Sequence, residues 1–126
     1  MKKVMTALAS VAVLATASAS WAHHSYAMFD RSQSLKLAGT IEAFNWTNPH
    51  SSIEIVVKNA KGVSERWGVE CTSPSVLVRA GWKSNTLKPG DQVVITVHPL
   101  HNGELGGAFV SVQMPDGRIL TDKSSS

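Results

Sequence analysis

The hydrophobic period of this chain changes twice between residues 35 and 121, and the order of those changes leaves few architectures open. Residues 35–46, LKLAGTIEAFNW, place Leu35, Leu37, Gly39, Ile41 and Ala43 at alternate positions. That is the period of a strand with one covered face. Residues 51–59 repeat it, with Ile53, Ile55 and Val57 on one side and Glu54 and Lys58 on the other. Residues 63–72, VSERWGVECT, follow across the turn NAKG, where Gly62 is free to take the positive φ a hairpin needs. Then the period becomes helical. Ser73 suits an N-cap, Pro74 suits the first helical position, Val76, Leu77 and Ala80 form a stripe, and Gly81 stops it. Alternation returns in QVVITVHPL (92–100), AFVSVQM (108–114) and RILT (118–121).

Three strands in a meander, a short helix, then two or three strands is the order of an OB-like barrel. The expected fold is mostly β, a five- to six-stranded barrel with one short helix between strands three and four. A β-sandwich is the alternative, but five or six strands and a helix suit the smaller closed form. The expected core draws on Ile41, Ile53, Ile55, Val57, Val69, Val76, Leu77, Val94 and Val110. Gly39 marks an expected bend or bulge in the first strand.

The chain opens Met1-Lys2-Lys3 and then runs uncharged to Ser20-Trp21-Ala22, which puts small residues at the −3 and −1 positions of a signal-peptidase site. Residues 1–22 read as a cleaved signal peptide, with an uncleaved anchor as the alternative. The apolar run is short for a membrane span, so no stable membrane insertion is expected after cleavage. The product is expected in a bacterial periplasm or secreted. It comprises an extended arm (23–34), the barrel (35–122) and a disordered polar tail (123–126). Loss of Lys2 and Lys3 leaves ten Lys and Arg against nine Asp and Glu. A near-neutral domain has no footprint for nucleic acid. Cys71 is the lone cysteine, so no internal disulfide can form. It reads as a core residue, with a soft ligand for Cu(I) as the alternative.

All five histidines fall after Ala22: His23, His24, His50, His98 and His101. On an OB topology His50 lies in the loop between strands one and two. His98 and His101 bracket the end of strand four, and these two loops flank one binding face. The arm starts at the far end of strand one from His50. Its 12 residues span up to about 40 Å extended, against roughly 33 Å for a ten-residue strand, so it can return to that rim. Cleavage after Ala22 would make His23 the first residue. A free N-terminal histidine offers its α-amine and ring Nδ1 to one ion, and a second imidazole completes a T-shaped set of three nitrogens. Such a set favours Cu(II). His24 offers a weaker chelate through the amine, an amide and its ring, and Met28 a thioether. The alternative is that these histidines are ordinary surface residues, since four ligands at zinc spacing are missing.

Four stretches resemble a family of small exported bacterial proteins, domain of unknown function 6152: HHSYAMFD (23–30), GTIEAFNWTNPHSSIEI (39–55), WGVECTSPSVLVRAGW (67–82) and LKPGDQVVITVHPLHNG (87–103). The matching residues are His23, His24, Phe29, Asp30, Trp46, Asn48, Pro49, His50, Glu70, Gly81, Trp82 and Pro99. The resemblance implies an exported small β domain and no established activity.

Three functions compete. The first is a copper-binding module that acts as carrier, buffer or sensor. The second is an enzyme, which the residues favour least: Ser51 beside His50 has no adjacent orienting acid. The third is a metal-free module that binds a peptide, glycan or another periplasmic protein on the OB face, using Trp46, Trp67 and Trp82. Core packing is the alternative role for Trp67 and Trp82.

Overall fold

In the computed structural model, which describes residues 27–124, one long strand serves two neighbours. This is β1, Leu35–Asn45. Its first half pairs antiparallel with β4 (Gln92–Pro99), from Leu35 opposite Val97 to Thr40 opposite Gln92. Its second half pairs antiparallel with β2 (Ser52–Lys58), from Gly39 opposite Val57 to Asn45 opposite Ser52. A strand shared in this way must coil sharply. Gly39 sits where the two pairings overlap, and a Cβ there would overlap the Val56 carbonyl oxygen and lie 3.0 Å from the carbonyl carbon. The bulge of β1 lies not at Gly39 but further on. Ile41 faces Ile55 and Ala43 faces Glu54, which leaves Glu42 as the extra residue. The inward phase switches there. Leu37 and Ile41 are buried before it, and Phe44 and Trp46 pack against the core after it.

β2 pairs antiparallel with β3 (Ser64–Glu70), and β4 pairs antiparallel with β5 (Gly106–Gln113). The ring closes where β3 runs parallel to β5, residues 68–70 lying opposite 106–108. The circuit β1-β2-β3-β5-β4 is that of an OB-like barrel, with β6 (Ile119–Thr121) added outside on β5. At the closing seam two glycines of β5 have no room for a side chain. A Cβ on Gly107 would lie 2.7 Å from Val97 Cγ2 and 2.8 Å from the His98 carbonyl oxygen, and one on Gly106 would lie 2.8 Å from Leu100 Cδ1.

The helix α1 (Pro74–Arg79) lies between β3 and β4 as the period change predicts. Ser73 has extended N-cap geometry without a side-chain capping bond. At the other end Gly81 N–H donates to Val78 O (3.0 Å) and Trp82 N–H to Leu77 O (2.9 Å), the paired bonds of a Schellman motif, with Gly81 at φ +92°. The motif turns Trp82 into the barrel, where its ring meets Phe44 at 5.9 Å and Phe109 at 5.5 Å. Trp82 is 2% exposed, and its Nε1–H donates to Thr121 O at 2.9 Å. It is a core residue and has no face left for a partner. Trp46 and Trp67 are partly buried against the same core.

Ile41, Ile53, Ile55, Val69 and Leu77 are buried as expected, and Val57 packs against them from a half-buried position. Val94 and Val110 are corrections, since both are half-buried and lie outside the core cluster. On β4 the inward phase is Val93, Ile95 and Val97. On β5 Val97 faces Phe109 and Thr96 faces Ser111, so Val110 is left without a partner in a second bulge. Val76 is half-buried too, because α1 turns Leu77 rather than Val76 to the core.

Candidate metal centre

Residues 27–34 of the arm lie against the end of β4. Phe29 bridges to Leu100, Asp30 N–H donates to Pro99 O (2.7 Å), and His101 N–H donates to Met28 O (2.9 Å). The arm therefore needs no return along β1. Because β1 is antiparallel to β4, its first residue, Leu35, already sits opposite Val97.

A cleft of about 450 Å³ opens beside this junction. Phe29 and Arg31 of the arm line it, with His50 from the β1–β2 loop, Glu70, Cys71 and Thr72 from the end of β3, and His98 from β4. Residues 108–111 of β5 and the stretch from Thr121 to Lys123 complete it. His50 reaches the cleft because the β2–β3 pairing runs on past both strand ends: Cys71 N–H donates to Ser51 O (2.8 Å) and Ser51 N–H to Thr72 O (3.0 Å). His50 and His98, 48 positions apart in sequence, thus share one wall space.

His98 is oriented by the arm. Its Nδ1 lies 2.8 Å from the Gln33 carbonyl oxygen. A carbonyl only accepts, so Nδ1 is the donor, and in the neutral ring the lone pair is left on Nε2. Metal-binding histidines use this arrangement, with an outer hydrogen bond fixing ring and tautomer. His101 is exposed and does not line the cleft. It lies with His98 near Asp30, whose carboxyl is held below its ordinary range. The hydroxyl and N–H of Ser32 donate to it at 2.5 and 3.0 Å, and the charges of His101 and His98 add to this.

Cys71 is 5% exposed, and burial, with Asp122 and Glu70 nearby, pushes its thiol up to about 12. It packs as part of the core and is no resting thiolate for Cu(I). The thiol is expected to stay unlabelled by an aromatic disulfide reagent at pH 8 until the protein unfolds; rapid stoichiometric labelling of the native protein would contradict this. The sign for stability follows. The unfolded thiol loses its proton near 9 and the folded one near 12, so stability falls as pH rises through that window.

His23 and His24 lie outside the described residues. Among the described residues no three His, Cys, Asp or Glu side chains are grouped closely enough to hold a metal ion. Two histidines of the described part converge, and a third donor would have to come from elsewhere. The sequence patterns did not assign Arg31, Glu70 or Asp122 to a site, since their convergence depends on where the arm and the segment after β6 run.

A family model described as "Family of unknown function (DUF6152)" matches residues 9–109. No curated protein and no solved structure matches the chain.

Proposed function

The chain belongs to DUF6152, a family of unknown function, and from a membership that carries no activity we propose a reading built on the cleft: a small exported copper-binding protein, a carrier or buffer, in which His23 and the cleft histidines hold Cu(II). The observation that carries it is that His50 and an Nδ1-anchored His98 line one cleft, walled by Phe29 of the arm. Phe29 is six residues from His23, a span of at most about 20 Å. Cleavage after Ala22 would supply the amine and ring Nδ1 of His23, and a cleft imidazole would complete three nitrogens for a tetragonal ion. Met28, 51% exposed, offers a thioether nearby. The test is a Cu(II) competition titration on mature protein, with the N-terminus verified by mass. His50→Ala and His98→Ala are each expected to raise Kd about a hundredfold, close to 3 kcal/mol. Affinities unchanged by both substitutions would remove the cleft from the site.

A metal-free interaction module is the second reading. A groove of about 280 Å³ beside the arm, lined by Met28, Phe29, Ile53, Val69 and Leu100 among others, favours it. A mature protein that fails to bind copper at micromolar concentration would leave this as the better account.

A further inference from the structure

The outer face of β2 carries Ser52, Glu54 and Val56, and β3 sets Glu70, Gly68 and Arg66 opposite them in register. Gly68 is exposed, its φ is not positive, and a Cβ there would meet nothing within 4 Å. Neither crowding nor backbone conformation calls for a glycine at this position. Its missing side chain leaves a floor instead. Gly68 lines the groove of about 280 Å³ together with Glu54 and Glu70, and Met28 and Leu100 supply apolar walls. Leu105 accepts the Gly68 N–H on its carbonyl oxygen at 3.1 Å, which sets it beside the same floor. Met28 is 51% exposed and Leu105 43%.

We propose that this groove docks a partner protein through an arginine inserted between Glu54 and Glu70, with apolar residues beside that arginine covering Met28 and Leu105. The proposal stands beside the copper reading and does not rest on it. Glu54 faces Gly68, so Glu70 is its diagonal neighbour across the strands, with Cβ atoms about 7 Å apart. That gap takes one planar guanidinium, whose N–H donors serve both carboxylates, while its stem lies on the apolar walls. The chain's own arginine on this face is committed elsewhere. Arg66 Nε lies 2.6 Å from Glu42 Oε2, and its interaction with Glu54 is the weaker one. In OB barrels this face takes oligonucleotides or oligosaccharides. Here the carboxylates oppose a phosphate backbone. Phe29, the aromatic residue in the wall, is 8% exposed and offers no open ring face to a sugar. An apolar patch rimmed by acids fits a basic protein segment.

The probe is the acetylated and amidated peptide Ala-Leu-Arg-Leu-Ala, titrated into isotopically labelled mature protein while the amide NMR shifts are followed. A second peptide replaces arginine by citrulline, which keeps the shape and drops the charge. The arginine peptide is expected to shift the amides of Gly68 and Leu105 with a Kd on the order of 1 mM, and the citrulline peptide to bind about tenfold more weakly. Glu54→Gln is expected to weaken the arginine peptide about three- to fivefold and leave the citrulline peptide unchanged. Gly68→Leu fills the floor and is expected to bind neither. The proposal is overturned if the two peptides bind equally, if Gly68→Leu binds as wild type does, or if the arginine peptide leaves the Gly68 amide unmoved at about 10 mM. Should Gly68→Leu fail to fold, Glu54→Lys decides, since Glu54 is exposed. It is expected to abolish the preference for arginine, and a preserved preference overturns the proposal. No copper enters these titrations, so their failure leaves the copper reading as it stands.

Discussion

Gly39→Ala is expected to destabilise the barrel by about 3 kcal/mol or more, near the upper end for overpacking a native core. The added methyl would overlap the Val56 carbonyl oxygen and crowd its carbon at 3.0 Å. Both atoms are backbone, so no rotamer change can relieve the contact. Relief means parting β1 from β2 where Gly39 faces Val57 and Thr40 faces Val56. For a domain of this size 1 kcal/mol shifts Tm by about 4–8 °C, so a fall on the order of 15 °C is expected in a thermal melt. Gly68→Ala is the control, since a Cβ there meets nothing within 4 Å and needs no positive φ. It is expected to change stability by less than about 0.5 kcal/mol. A Gly39→Ala protein that melts with the control would mean that β1 does not approach β2 this closely.

Extending the mature protein by Ala-Ser-Ala before His23 is expected to weaken Cu(II) binding by roughly a hundredfold, about 3 kcal/mol. Every side chain stays in place. The α-amine of His23 becomes a peptide nitrogen, and the six-membered chelate ring it closes with the imidazole Nδ1 is lost. Three residues are needed because a one-residue extension would place His24 third from the new terminus, where amine, two amides and imidazole bind Cu(II) by themselves. Wild-type affinity should also fall as pH drops, because protons compete with the metal for the amine and imidazole nitrogens. The extended protein should lose the step that belongs to the His23 amine. A competition titration across pH 5.5–8.5 on the order of half-unit steps reads both effects. Cys71→Ser serves as a specificity control and should leave Cu(II) affinity unchanged, since the thiol stays protonated in the core. Equal affinities for extended and unextended protein would make the N-terminal histidine an accident of processing.

The barrel was legible because periodicity and turn chemistry agree over most of its length. Ser73, Pro74 and Gly81 mark α1, and its place after the third strand gives the topology. The phase errors have a common cause. Val93 and Val94 are both apolar, so either alternation fits β4; the choice is made by long-range pairing that leaves Val110 unmatched on β5. Likewise nothing about Glu42 announces a bulge, whereas Gly39, which looks like one, answers to the close approach of Val56. For the site, topology brings the loop of His50 and the end of β4 with His98 to one cleft. The parts of Arg31, Glu70 and Asp122 were not legible, because they depend on how the arm and the chain after β6 cross the barrel wall. Trp82 shows the reverse limit. A tryptophan at a helix end fits core and partner surface equally well in sequence, and the Schellman turn that inverts its direction decides between them.

The parallel seam between β3 and β5 is the shortest ladder in the ring, residues 68–70 against 106–108. It joins segments 38 positions apart through only three residue pairs, so little pairing offsets the cost of closing that loop. The closure of the five-stranded ring depends on it, with β6 lying outside that ring. When the seam parts, β3 and β5 each present unpaired amides and carbonyls, the template on which a second chain can add. The glycines of β5 that let the seam close, Gly106 and Gly107, carry no charged or bulky side chains to discourage such pairing. Strand exchange between copies, rather than wholesale unfolding, is the route to aggregation built into this closure.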